Sequence, residues 1–105
     1  MKIISFPVEE VEGIKNHLKE SDFLHTLKIS SEFGKYKKGE FVKTPWGERF
    51  VIIEITQIKN FEHFQKEHAH YEELKKINTE EIKKVANYKK IEILKLKKVD
   101  NKKVY

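Results

Sequence analysis

The densest group of apolar positions in this chain lies at residues 50–55, where five of six residues are apolar. Most of them are β-branched or aromatic, and such side chains pack well on a pleated, two-sided surface. The pattern predicts a central strand over residues 48–58, on which the rest of the fold is built.

Two further elements are predicted before this strand. Residues 6–18 place apolar side chains on one helical stripe, and Pro7 followed by two glutamates suits a first helical turn. Residues 23–29 alternate imperfectly, with Thr26 and Lys28 on one face and the leucine and isoleucine beside them on the other. This second pattern predicts a short, half-buried strand.

A hairpin is predicted immediately before the central strand. Residues 41–43 form its first strand, and residues 44–47 (Thr-Pro-Trp-Gly) form a turn, because proline presets φ and glycine tolerates positive φ. We therefore expect residues 41–43 to pair antiparallel with the central strand.

The second half of the chain predicts two helices and a last strand. Asn60 can cap a helix whose apolar residues recur every three or four positions, and Asn78 with Glu81 resembles a capping box that opens a second helix. In the last strand, residues 91–99, the apolar positions change face midway. That change predicts a bulge or burial on both faces.

The order of these elements is helix, three strands, two helices and strand, which indicates an α+β fold rather than a parallel βαβ array. A small, mixed or antiparallel, partly closed β-barrel with flanking helices is the most economical way to protect the strand edges. The length of 105 residues predicts a single domain over residues 1–105, with a polar tail at 99–105.

Composition adds charge to this picture. The net charge is +5, and Arg49 is the single arginine beside 21 lysines. This sign favours a polyanionic partner, although a general enrichment of surfaces in lysine and glutamate explains the total equally well.

The chain has no cysteine, which excludes disulfides, thiolate nucleophiles and cysteine-ligated metals. The first residues turn acidic at once and lack the apolar core of a signal peptide, and no apolar run approaches the ~20 residues that span a bilayer. We expect a cytoplasmic protein without a membrane partner, and we assume a monomer.

Basic and aromatic residues cluster around the predicted hairpin, and they form the predicted nucleic-acid-binding set. Aromatic rings stack on bases at about 1–3 kcal/mol each, and arginine binds phosphate through two donors. The alternative is that the tryptophan folds back to plug the barrel, with the arginine covering it. The set comprises Lys28, Lys35, Tyr36, Lys37, Lys38, Lys43, Trp46 and Arg49.

Four segments resemble the ASCH domains of the PUA-like superfamily. They are His-Thr-Leu-Lys-Ile-Ser from His25, the turn at residues 36–40, the strand at residues 53–56, and Glu67-His68-Ala69 with Glu72. The resemblance implies a barrel with a cleft for RNA or a modified nucleoside. It also implies hydrolysis of acetylcytidine in some members and RNA cleavage in others.

The resemblance also implies a catalytic set. The amidohydrolases carry Lys-Thr-x-Thr-x-Arg on the first strand, whereas here His25, Lys28 and Ser30 stand at the lysine, second threonine and arginine positions. Glu72 retains the helical carboxylate. His25 as base, Lys28 as cation and Glu72 would suit acid–base cleavage, but the alternative is that Glu72 pairs with a lysine on its own helix.

Three histidines suggest a metal site, but their spacing argues against it. On a helix, His68 and His70 lie about 200° apart, so they cannot face one ion. His63 and Glu67 share a face, and two-ligand pairs of this kind are common by chance. No metal and no cofactor is predicted.

Three functions remain open from the sequence. The leading hypothesis is an RNA-binding domain that recognises RNA or a nucleotide-like ligand in a basic cleft. The second is an ASCH-type hydrolase, which the altered motif disfavours. The third is a non-catalytic regulatory interaction domain.

Overall fold

The central apolar run is the middle strand of a five-stranded sheet in the computed structural model, which describes residues 1–29, 32–71, 74–75 and 91–99. The sheet order is β1-β3-β4-β5-β2; β1 pairs parallel with β3, and the other pairs are antiparallel. The elements in these ranges are β1 (Lys2–Ile3), a 3₁₀ turn (Val8–Glu10), α1 (Val11–Leu18), β2 (Phe23–Ile29), β3 (Phe41–Lys43), β4 (Arg49–Gln57), α2 (Phe61–His70) and β5 (Ile91–Lys98).

The sheet curls into a half-barrel, and the predicted α+β class is confirmed. The finer prediction of a PUA-like barrel stays a prediction. The hairpin of β3 and β4 forms as expected, and Gly47 adopts a φ of 100° in its turn. This conformation is open to glycine because it has no Cβ.

Each face of the sheet carries its own core. On the α1 face, Leu94 and Leu96 of β5 join α1 in a first apolar cluster. On the α2 face, Ile91 and Ile93 of β5 pack in a second cluster with Phe64 of α2. The prediction of burial on both faces of the last strand is therefore confirmed, since successive side chains of a strand point in opposite directions.

The irregularity in the sheet lies in β4 rather than in β5. Ile52 lies opposite Leu96, and Glu54 lies opposite Lys95, so Ile53 is an extra residue on β4. The bulge resets the alternation, and Ile55 after it returns to the α1 face, where it packs against the first cluster.

The prediction for the first helix is wrong at its beginning. Pro7 has an extended ψ of 140°, a 3₁₀ turn follows, and α1 begins at Val11. Val8 is 85% exposed rather than part of the buried stripe. The two-residue strand β1 was also missed, because so short a segment carries no periodicity.

The prediction of α2 is confirmed by its cap. Asn60 Oδ1 accepts a hydrogen bond from the backbone N–H of His63 at 2.8 Å, which satisfies a donor that the first helical turn leaves free. The second predicted helix, which begins at Asn78, and the tail from residue 100 onward lie outside the described residues.

Candidate nucleic-acid interface and a buried lysine pocket

The part of the α2 face nearest the β3–β4 turn is open to solvent. Phe41 is 53% exposed and Phe23 is 38% exposed, which is unusual for aromatic side chains on a sheet. We call this surface the open face. It comprises Ile3, Phe23, Phe41, Lys43, Arg49, Val51, Lys95 and Lys97.

Strand pairing arranges the open face in rows. One row crosses four strands, with Phe41 opposite Val51, Val51 opposite Lys97, and Lys97 opposite Phe23. Three strand spacings separate the two phenylalanines, or about 14 Å. The row therefore presents two separate aromatic rings with a cation between them.

Positive charge surrounds these rings. Lys43 and Arg49 are exposed and directly opposite each other on β3 and β4. Lys95 Nζ lies 5.2 Å from the centre of the Phe23 ring, and Glu54, opposite Lys95, is an acid at the margin of this surface. Like charges directly opposite each other destabilise a sheet, so an anion between Lys43 and Arg49 would relieve their repulsion.

The structure thus brings together Lys43 and Arg49 from the predicted nucleic-acid-binding set. Tyr36 does not join them, because it is buried in the first cluster and its hydroxyl donates to Glu32 Oε2 at 3.2 Å. Burial raises the pKa of Tyr36 to about 12, and the Glu32 carboxylate adds to the shift. Tyr36 is a core residue and not an exposed stacking platform.

Trp46 also turns inward. Its ring centre lies 5.9 Å from that of Phe6, and Lys15 Nζ of α1 lies 5.5 Å from its ring. One part of the alternative given above holds, because Trp46 folds back and packs against the first cluster on the α1 face. Arg49 does not cover it, since Arg49 neighbours buried Phe50 and points to the other side of β4.

Three lysines of the segment before β3 stay at the surface: Lys35, Lys37 and Lys38. Lys35 Nζ lies 3.5 Å from Glu32 Oε1, and the backbone N–H of Lys37 donates to Glu40 Oε1 at 3.2 Å. Lys37 and Lys38 are exposed. None of the three belongs to the cross-strand rows of the open face.

The predicted catalytic residues are not all placed together. His25 lies on the α2 face, where its ring stacks on Tyr71 with centres 3.6 Å apart. Lys28 lies on the α1 face, three residues along the same strand. Glu72 is outside the described residues. His25 and Lys28 therefore do not address a common substrate atom.

Lys28 is instead buried at a cleft of about 340 Å³ between β2 and the segment before α1. The side chain is 5% exposed, and its Nζ donates to the backbone oxygen of Ser5 at 2.7 Å. The ammonium lies 4.8 Å from the centre of the Phe6 ring and 6.0 Å from that of Tyr36. The cleft is lined by Ser5, Phe6, Pro7, Leu27, Lys28, Ile29 and Glu32.

The electrostatics of this cleft follow from burial. Desolvation lowers the pKa of Lys28, while Glu32 and Glu10 oppose the shift and Lys35 adds to it. Burial also raises the pKa of Glu10, against the effect of Lys28. Burial thus disfavours the charged form of Lys28 in the cleft and that of Glu10, whose charge acts on Lys28.

Several of these residues were missed by sequence reasoning. The signal that could have found them is strict alternation along each strand. Phe41 flanks buried Val42, and Lys95 and Lys97 flank buried Leu96, so all three point away from the α1 face. Phe23 begins β2 and alternates with buried Leu24 in the same way. No local signal marks Ser5 or Glu10, because chain folding brings them to Lys28.

Neither a metal site nor a membrane span is found in the described part of the chain. No group of three possible metal ligands occurs there, and His63 Nε2 lies 3.5 Å from Glu67 Oε1, as their helical spacing predicts. No helix in those ranges is long and apolar enough to cross a bilayer.

Comparisons with protein-family models, with curated proteins and with solved structures gave no match, so the assignment of a function to this chain rests on its own residues and geometry.

Proposed function

We propose that this protein binds single-stranded RNA on the open face of its sheet. The observation that supports the proposal is the cross-strand row of Phe41, Val51, Lys97 and Phe23 beside the exposed Lys43–Arg49 pair. A surface of this kind combines rings for base stacking with cations for phosphates.

The rings favour a single strand over a duplex. Phe41 and Phe23 present apolar surface that bases can cover, and stacking requires bases that are not already enclosed in a double helix. Because the rings are about 14 Å apart, they serve two different nucleotides. The chain between these nucleotides passes over Val51 and Lys97.

The cations favour a polyanion. Four basic residues, Lys43, Arg49, Lys95 and Lys97, surround the rings, and Glu54 is the acid paired beside them. A phosphate between Lys43 and Arg49 would bind both and remove the cost of their juxtaposition. Binding therefore depends on salt, because each neutralised phosphate releases counterions.

Salt titration tests the proposal directly. A fluorescein-labelled oligouridylate is titrated with the protein at increasing potassium chloride, and anisotropy gives the affinity. Four phosphate contacts on a single strand predict a log–log slope of about −3. Lys43→Ala should make the slope shallower by about 0.7 and weaken binding.

A matched lysine on the other side of the molecule is the control. Lys19 is exposed at the end of α1, and Lys19→Ala removes the same charge without touching the open face. Equal losses in the two variants would show that only net charge matters. An affinity that does not change with salt concentration would also reject the proposal, and so would tighter binding to the matched RNA duplex than to the single strand. A DNA oligonucleotide of the same sequence measures the preference for RNA.

A further inference from the structure

The Lys28 cleft lies on the opposite side of the sheet from the open face and has no role in the proposed RNA binding. Lys28 alternates with Leu24 and Thr26 on the α1 face, where all three are buried. A charged lysine is rarely buried in this way unless it is paired. Its position therefore needs an explanation of its own.

The surroundings of Lys28 favour a neutral amine. Among the described residues its Nζ has one hydrogen-bond acceptor, the backbone oxygen of Ser5, although an ammonium carries three donors. No carboxylate of these residues lies within 4 Å of it. The rings of Phe6 and Tyr36 and the charges of Glu32 and Glu10 favour the ammonium. Burial outweighs them, because loss of the proton removes an incompletely solvated charge.

We propose that Lys28 is an amine site that condenses reversibly with a small, neutral aldehyde or ketone held in the cleft. The Nζ lone pair attacks the carbonyl carbon, a C–N bond forms as the C=O π bond opens, and the oxygen takes up a proton while the nitrogen loses one, which gives a carbinolamine. The hydroxyl then leaves as water with a second proton, the nitrogen loses its remaining proton, and an imine results. The balance is amine plus carbonyl compound to imine plus water, and no oxidant or reductant is needed.

The cleft supplies the acid and base that these steps require. Glu32 lines it and can accept a proton, and Tyr36, whose ring centre lies 6.0 Å from Lys28 Nζ, donates a hydrogen bond to the Glu32 carboxylate. Glu10 lies near enough for its charge to act on Lys28, and its raised pKa favours the protonated form that donates to a leaving hydroxyl.

The walls also define the ligand. The lining is mostly apolar and includes the side chains of Phe6 and Pro7, and about 340 Å³ accommodates a molecule the size of benzaldehyde. The Glu32 carboxylate in the lining disfavours an added negative charge. The ligand class is therefore a neutral carbonyl compound rather than an α-keto acid.

Reductive trapping tests the inference on the full chain. The protein is incubated with benzaldehyde and cyanoborohydride at neutral pH, and peptide mapping by mass spectrometry locates the benzyl groups. We expect Lys28 to be labelled several-fold faster than exposed Lys38 and Lys66, with that preference lost in urea. Labelling of the exposed lysines while Lys28 stays unmodified, or equal rates at all three, would overturn the inference.

Three further experiments remove the remaining ambiguity. Lys28→Met, with its fold checked by circular dichroism, should lose the fast adduct and also the quenching of Trp46 fluorescence by benzaldehyde, since Trp46 contacts Phe6 at the cleft wall. Glyoxylate in place of benzaldehyde should label Lys28 more slowly relative to Lys38; the reverse order would overturn the neutral ligand class. Saturating oligouridylate should leave labelling of Lys28 unchanged, so this inference and RNA binding can fail separately.

Discussion

Lys28 and Glu92 lie directly opposite each other on β2 and β5, and both are buried, yet each side chain bonds to the backbone of a different segment. Lys28 Nζ donates to the oxygen of Ser5, and Glu92 Oε1 accepts from the N–H of Gly34 at 3.1 Å. Burial lowers the pKa of Lys28 and raises the pKa of Glu92. A close ion pair would shift both in the other direction, so these are two separately buried ionisable groups rather than an ion pair.

The first prediction concerns Glu92 and pH. Because burial raises its pKa in the folded state above the ordinary value of 4.5, its stabilising contribution is complete below that value and is lost as pH rises through the folded pKa. Glu92→Gln keeps an oxygen for Gly34 and removes the charge. We expect the free energy of unfolding of the variant to exceed that of the parent at neutral pH, with the difference vanishing in acid.

Urea unfolding at a series of pH values measures this difference. Glu20→Gln, at an exposed position after α1, is the matched control and should show no such trend. If the free energy of unfolding of the parent rises relative to that of the Glu92 variant as pH increases, a positive charge stabilises the carboxylate. The interpretation that Lys28 and Glu92 are buried separately would then be wrong.

The second prediction concerns Phe41. Since its ring is 53% exposed, Phe41→Ala should cost about 1–3 kcal/mol of RNA-binding free energy while changing stability by no more than about 0.5 kcal/mol. Anisotropy and urea unfolding measure the two quantities. Val8→Ala removes another exposed apolar side chain, outside the open face, and should leave RNA binding intact; equal losses in both variants would argue against stacking on Phe41.

The third prediction concerns the bulge. Deleting Ile53 joins Ile52 to Glu54, which keeps Ile52 and Ile55 on the α1 face and leaves a regular strand. Deleting Val51 instead moves Phe50, which is fully buried, to the other face. We expect cooperative urea unfolding to survive the first deletion and to be lost in the second, and the opposite result would contradict the register.

The fourth prediction concerns Gly39, whose φ is 87°. Apart from its chain neighbours, a Cβ there would meet no atom of the described residues within 4 Å. Gly39→Ala therefore tests backbone strain and should cost about 1–2 kcal/mol in the free energy of unfolding. Gly39→Asn should cost less, because asparagine tolerates this conformation. If alanine costs no more than asparagine, the loop does not need the positive φ that positions the Gly39 N–H on the oxygen of Ile52.

Local pattern was sufficient for much of the fold. Strand β2 has its predicted bounds, the β3–β4 hairpin has its predicted turn, and α2 begins at its asparagine cap. These elements depend on side-chain alternation, glycine and proline geometry and capping, which act over a few residues. Lys43 and Arg49 were also found in this way, because the same hairpin places them together.

The sequence by itself thus determined where β2, the β3–β4 hairpin and α2 lie and that the hairpin would carry positive charge. Only the tertiary structure decided which alternating face of each strand is covered. The α1 face closes over Lys28 and Tyr36, which sequence reasoning had placed in the RNA-binding set, whereas the open face leaves Phe41 and Phe23 exposed. The physical reason is that alternation defines the two faces of a strand but not which other segments of the chain cover each face. Burial depends on contacts between segments far apart in the chain, such as Ser5 with Lys28 and Gly34 with Glu92.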